Sequence, residues 1–236
     1  MSPSLRHRDT EVAELMDDPA CDEAALRRTY GHFRTVNRLL SGWRATYRDR
    51  LRPLLAPDRT TTLLDIGCGG GDLPRALHRW AAADGLRLSV DAVDPDPRAF
   101  AFVADQPATP GVRFRQADSA ALVAAGERYD VVTSNHLLHH LDGATLRGLL
   151  ADCERLARRL VLHSDLRRSR VAYLAWTAVA WPTARDSFLF TDGLVSIRRS
   201  YRPAELAAVA PAGWQVERQR PFRLLLSHDT TAAGRA

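Results

Sequence analysis

Three histidines fall within five residues in the run Asn135-His136-Leu137-Leu138-His139-His140-Leu141-Asp142. On a helical turn, His136, His139 and His140 share one face, because residues three and four apart are neighbours there. Histidine titrates near neutral pH, so this group suits proton transfer from a phenol or hydroxyl nucleophile. Three imidazoles so close together also suit a metal ion, although no metal is assigned to them. A second run, Asp65-Ile66-Gly67-Cys68-Gly69-Gly70-Gly71-Asp72, is a glycine-dense turn between two acidic residues. Glycine allows φ > 0 and carries no Cβ to hold a ligand away from the backbone. A strand that ends in glycines and feeds a helix brings a nucleotide-sized ligand close to backbone amides.

The elements around these runs alternate. The first strand is Thr61–Ile66, followed by a helix over residues 71–83 and a second strand over 86–93 that ends at Asp94-Pro95-Asp96-Pro97. A helix over 98–105, a strand at Val112–Gln116 closing on Asp118-Ser119, and strands at 129–134 and 160–163 complete the pattern. A helix over 144–156 lies between these last two strands. Strands alternating with helices of 10–15 residues indicate a parallel sheet with helices on both faces. Two closing strands, 214–220 and 222–228, predict an antiparallel hairpin at one edge. The expected fold is therefore α/β, a Rossmann-like doubly wound and mostly parallel sheet of seven strands. An N-terminal helical cap precedes it, and a lid inserts after strand five. One domain is expected over 1–236, divided as 1–57 cap, 58–165 cofactor-binding core, 166–210 substrate lid and 211–236 hairpin and tail. Residues 1–20 read as loose, 183–200 as irregular, and the last eight residues as frayed. Asp22 predicts the N-cap of a cap helix reaching Leu40.

In an open α/β sheet, ligands bind beyond the carboxyl ends of the strands. The informative positions are thus Asp65 with its glycines, Asp94, Asp118-Ser119, Asn135-His136 and Asp165. Asp94, 23 residues past Gly71, suits ribose hydroxyls. The glycine spacing departs from G-x-G-x-x-G, and Asp72 would repel a pyrophosphate. A sulfonium and an ammonium would instead be welcome between Asp65 and Asp72. Here the sequence resembles the class I S-adenosylmethionine-dependent methyltransferases, over residues 61–165 and the closing hairpin. The resemblance implies S-adenosyl-L-methionine as methyl donor and S-adenosyl-L-homocysteine as product. It places the amino acid end of the donor at Asp65, Gly67, Cys68 and Gly69, and the ribose and adenine at Asp94 and Pro95. Asp118 and Ser119 fall at the adenine amine, and Asn135 and His136 by the methionine moiety.

Among such enzymes the general layout is similar to bacterial small-molecule methyltransferases of quinone and aromatic polyketide pathways. Quinone-pathway relatives carry Glu-X-X-Glu-His for a divalent ion where this chain has His136, His139 and His140, so that ion is not carried over. The leading expectation is O-methylation of a hydroxyl on a small aromatic or polyketide-like acceptor. C-methylation of a ring is one alternative and a non-catalytic, donor-binding fold member another. His139 is the candidate base. His140, Asp165, Tyr173, Trp176, Tyr30 and Phe33 are the candidate acceptor-binding residues, with the aromatic helix of residues 167–182 as a lid.

Bulk composition narrows the partners. All 33 Lys+Arg residues are arginine and the net charge is +5, which permits anionic partners without demanding them. No run of like charges marks a nucleic-acid arm, and the Asn/Asp-Pro-Pro-aromatic signature of base methylation is missing after strand four. Nucleic acid is therefore not an expected partner. Three scattered cysteines indicate neither a disulfide framework nor a zinc site, and point to a reducing cytoplasm. The polar start predicts no signal peptide, and no apolar run reaches the ~20 residues that span a bilayer. A cytoplasmic monomer or homodimer follows.

Overall fold

The computed structural model describes residues 4–183 and 186–231. Its centre is a seven-stranded sheet, with strand β1 (Thr61–Ile66), β2 (Leu88–Asp94), β3 (Val112–Gln116), β4 (Tyr129–Asn135), β5 (Ala157–Leu166), β6 (Gln215–Gln219) and β7 (Arg223–Asp229). Their order is β3-β2-β1-β4-β5-β7-β6. Strands β1 to β5 run parallel, and β7 pairs antiparallel with both β5 and β6. The order reverses between β1 and β4, where an open sheet leaves a crevice at its carboxyl edge.

Both faces of the central strands are apolar, so consecutive residues serve opposite cores. Leu63 and Val131 pack on one side with Trp43, Tyr47, Leu51 and Leu77, whereas Leu64 and Val132 pack on the other with Leu146, Leu150 and Leu206. The helices that cover them are α1 (Glu23–Leu40), α2 (Trp43–Thr46, continuing as wider and tighter turns to Leu54), α3 (Asp72–Ala83), α4 (Pro97–Ala104), α5 (Ser119–Ala124) and α6 (Gly143–Leu156). Three follow β5: α7 (Arg170–Ala180), α8 (Leu189–Arg199) and α9 (Pro203–Val209). The Asp22 carboxylate accepts from the Ala25 amide at 2.7 Å, which starts α1 where the sequence places it. Among the described residues no helix is long and apolar enough to cross a membrane.

Two expectations fail. Residues 183–200, read as irregular, contain α8, whose buried Asp192 carboxylate accepts from the Leu15 and Met16 amides at 2.8 and 3.0 Å. The N-terminal residues are correspondingly not loose. Arg8 donates to the carbonyls of Arg199, His139 and Leu141, Arg198 pairs with Asp9, and Leu5 and Glu14 are buried. Residues 5–18 form a strap laid over the loop after β4. The frayed tail expected at the C-terminus falls mostly on residues 232–236, outside the described residues.

The turn after β1 depends on space as well as on φ. Gly71 has φ +72°, and a Cβ there would come within 2.5 Å of Phe114 and 2.6 Å of Arg75. Gly85 has nearly the same φ, +71°, with open space around it. Gly85→Ala should therefore carry only the left-handed backbone penalty of about 1–2 kcal/mol. Gly71→Ala should exceed it by at least about 1 kcal/mol, because the Phe114 ring must move. Denaturant unfolding of the two variants checks this; equal losses would remove the steric argument.

Candidate active site at the carboxyl edge of the sheet

The glycine turn folds back on the end of β2. Gly67 and Cys68 amides donate to the Val93 carbonyl at 2.9 and 3.1 Å, and Gly69 donates to Asp94 Oδ2 at 2.8 Å. Gly67, Gly69 and Gly71 take φ of 69°, 48° and 72°, conformations that a side chain would resist. Asp94 Oδ1 accepts from the Asp96 amide at 3.0 Å. Each carboxylate oxygen thus keeps a lone pair, enough for two ribose hydroxyls. Cys68 supplies backbone only: burial, with Asp94 and Asp65 nearby, raises its thiol well above the usual value and leaves it protonated.

Three carboxyl groups converge under this turn. Asp65 is buried at the end of β1, where Thr133 donates to its Oδ1 at 2.8 Å. Burial pushes its pKa up to about 8, and the neighbouring Asp72 and Asp94 push the same way. Asp72 and Asp94 are also raised, chiefly by burial. Asn37 from α1 donates to Asp72 Oδ2 at 3.0 Å, but among the described residues no cationic side chain is hydrogen-bonded to any of the three. Buried acids with no paired cation favour a positively charged ligand. A sulfonium and an ammonium fit this set; a pyrophosphate does not.

Other residues expected at the donor are placed differently. Asp118 is exposed and caps α5 through the Ala121 amide at 2.8 Å, and Ser119 Oγ donates to Asp152 of α6 at 2.7 Å. Both are committed to local structure. Pro95 keeps its place beside Asp94, its carbonyl accepting from Gln116 Nε2 at 3.2 Å. Tyr30 and Phe33, expected at the acceptor, pack on the donor side instead. Tyr30 Cβ lies 3.2 Å from where a Gly70 Cβ would stand, and the Tyr30 ring meets Phe33 edge-on and Phe102 at a tilt. Helix α1 thus roofs the glycine turn.

The histidines do not share a helical face. Residues Leu138–His140 form a single tight 3-10 turn, and His136 takes φ 58°, which turns the chain sharply after β4. Arg223 of β7, fully buried, donates to His136 Nε2 at 2.7 Å, to Asn135 Oδ1 at 2.5 Å and to Ser164 Oγ at 2.9 Å. Because arginine only donates, His136 Nε2 is the acceptor and its proton sits on Nδ1. Burial, then the Arg223 charge, lowers its pKa well below the ordinary value. Asn135 is gripped from the other side by Trp43 Nε1 at 3.0 Å.

His139 is buried beneath the strap. Its Nδ1 donates to Asp165 Oδ1 at 2.7 Å, its amide to Asp165 Oδ2 at 2.8 Å, and its Nε2 lies 3.2 Å from Glu14 Oε1. Burial opposes its charge, but Asp165 and Glu14 outweigh that and raise its pKa to about 9. The expected base is thus a buried imidazolium flanked by two carboxylates. Asp165 does not open on the mouth of the site either: it is buried and wholly occupied with His139 and the Leu166 amide. His140, partly exposed, has Nδ1 3.2 Å from Asp17 Oδ2. Trp176 donates to the Phe190 carbonyl at 3.1 Å and packs over Gly193, so it fastens α7 to α8 rather than lining a pocket. Tyr173 lies half-buried on α7. Arg223, Glu14 and Asn37 are the site residues that sequence reading missed. All three are long-range partners with no local spacing to mark them.

Comparison with known proteins agrees with this geometry. Residues 63–159 match the family model described as a methyltransferase domain. Over 96 residues the chain is 38% identical to the ubiquinone biosynthesis O-methyltransferase of Methylobacterium nodulans, covering 40% of this chain and 35% of that one. It is 33% identical over 144 residues to the like-named protein of another Methylobacterium, covering 59% and 55%. The chain therefore spans about a third to a half of the length of these curated relatives. Its fold is similar to the plantazolicin methyltransferase BpumL, solved with S-adenosylhomocysteine and a triazolic substrate analogue. That match has TM-score 0.60 and 12% identity, covering 91% and 92% of the two chains. Residues 63–159 thus match a methyltransferase domain, and the fold around them is similar to that of a methyltransferase solved with S-adenosylhomocysteine.

Proposed function

We propose that the protein transfers a methyl group from S-adenosylmethionine to a hydroxyl of a small aromatic or polyketide-like acceptor. The observation that carries the donor assignment is the set of three buried carboxyls, Asp65, Asp72 and Asp94, around the glycine turn with no hydrogen-bonded cation among the described residues. Support for a hydroxyl acceptor comes from the curated relatives, which are named as O-methyltransferases of ubiquinone biosynthesis.

The reaction is an in-line displacement: the acceptor oxygen takes the methyl carbon, the sulfonium bond breaks, and sulfur leaves as a neutral thioether. The protein's part is to position the oxygen and exclude water. His136 is suited to the first task as a donor. Arg223 fills its Nε2, so Nδ1–H is left to hold a phenolate oxygen. Neither His136 nor His139 can take up a proton, one lacking a free lone pair and the other already charged. The acceptor must then ionise by its own acidity or to solvent.

Three outcomes follow. Calorimetry should detect S-adenosylhomocysteine but not NAD, and Asp94→Ala should weaken that binding about 10–100-fold, the worth of hydrogen bonds to a charged group. Tight NAD binding, or unchanged affinity in Asp94→Ala, refutes the donor site. Asp65 ionises at about 8 when folded against about 3.8 in its ordinary state. Its contribution to stability is thus full below pH 3.8 and lost as the pH rises through 8. Asp65→Asn keeps the acceptor for Thr133. It should raise the Tm of the ligand-free protein above pH 8, by about 2–4 °C per kcal/mol relieved, while losing the Tm gain from S-adenosylhomocysteine. A lowered ligand-free Tm contradicts the charge argument.

For the acceptor, mass spectrometry of phenolic substrates incubated with methyl-labelled donor should show one added methyl on oxygen. His136→Ala should lower kcat/KM by about 10–100-fold with donor affinity kept. The rising, acid-side limb of the pH–rate profile should follow the acceptor's pKa and stay in place in His139→Gln. Loss of that limb in His139→Gln would restore His139 as the base.

A further inference from the structure

One cluster is not used by methyl transfer. Glu14 of the strap, His139 and His140 each offer a ligand atom, all within 4.8 Å of one another. His139 Nε2 lies 3.2 Å from Glu14 Oε1, His140 Nε2 lies 3.8 Å from Glu14 Oε2, and the two rings are 4.3 Å apart at their centroids. The far nitrogen of each ring is held by its own carboxylate: His139 Nδ1 by Asp165 Oδ1 at 2.7 Å and His140 Nδ1 by Asp17 Oδ2 at 3.2 Å. A carboxylate on Nδ1 fixes the tautomer that turns a lone pair on Nε2 toward a metal. His139 Nε2, meanwhile, is sealed from solvent without a hydrogen bond of acceptable geometry. It is a buried polar atom aimed at the point where the ion would sit.

We propose that these three residues bind one divalent ion of the zinc type, which latches the N-terminal strap onto the loop after β4. Two imidazoles and one carboxylate suit zinc, cobalt or nickel better than magnesium or calcium, which favour oxygen. Donors about 2.0–2.2 Å from a tetrahedral centre stand roughly 3.3–3.6 Å apart, so a set that lies within 4.8 Å closes with side-chain movements of about an ångström. The ion replaces the proton that His139 holds toward Glu14, and that proton is released. His136 is excluded, because Arg223 occupies its Nε2. The ligand set thus differs from the Glu-X-X-Glu-His run of the quinone-pathway relatives: the first position of the run drops out, and the strap supplies the carboxylate.

The full chain, stripped with a chelator, should be titrated with zinc and with cobalt(II). One equivalent should bind, cobalt should give the intense visible bands of a four-coordinate site, and Tm should rise with ion concentration. Hydrogen exchange at the Leu15 and Met16 amides should slow on loading. His140→Ala, at a partly exposed position, should fold and lose more affinity than the roughly 10–100-fold that removing an outer carboxylate costs. Asp17→Asn should fall in that range, and Glu14→Gln should match His140→Ala. Millimolar binding only, a six-coordinate cobalt spectrum, affinity unmoved by His140→Ala, or binding without protection at residues 15 and 16 would each overturn the proposal.

Discussion

The site is organised around the burial of negative charge at the switch between β1 and β4. Asp65 ends β1 inside the sheet, where the Thr133 hydroxyl reaches it, and Asp72 and Asp94 stand close enough to raise it further. Three neighbouring elements answer to that charge. The glycine turn gives an amide to Asp94, α1 gives the Asn37 amide to Asp72, and β4 gives Thr133 to Asp65. A site that is electrostatically incomplete alone is destabilised until its cationic ligand arrives. This is the usual tension between a functional centre and the stability of its scaffold.

The opposite half of the crevice holds charges of both signs. Arg223 rises from β7 into a buried position among Asn135, His136 and Ser164, and a hydrogen bond joins Asp165 to a charged His139. Burial lowers the Arg223 pKa to about 10, with Asp165 pulling the other way. The crevice is therefore divided into an acidic half and a half in which the charges of Arg223 and His139 are set against Asp165 and Glu14. Both tautomer and charge of the histidines are set by partners from distant strands rather than by their spacing along the chain.

That contrast accounts for what was legible in the sequence. Thr61–Ile66 and Val112–Gln116 lie where the residue patterns place them, because period and turn chemistry are local. Asp65 and Asp94 were legible for the same reason, each ending a strand beside glycines. Helix α8 was hidden because its Asp192 and Gly193 look like loop residues until the strap amides and the Trp176 ring reach them. The histidine run suggested a shared helical face, but the positive φ of His136 and the short turn that follows send His136 to Arg223 and the other two rings to Glu14. Asp118 and Ser119 matched a motif position, yet local capping and a bond to α6 claim them.

The strap also bears on how the chain assembles during synthesis. Arg8 meets His139 and Arg199 across 131 and 191 positions, and the Leu15 amide meets Asp192 across 177. These residues are synthesised 131 to 191 positions before the partners they meet. Contacts of such high sequence separation come late in folding. The strap therefore stays unsatisfied while β1 to β5 are made, and the roof over the loop after β4 closes only once α8 has been made.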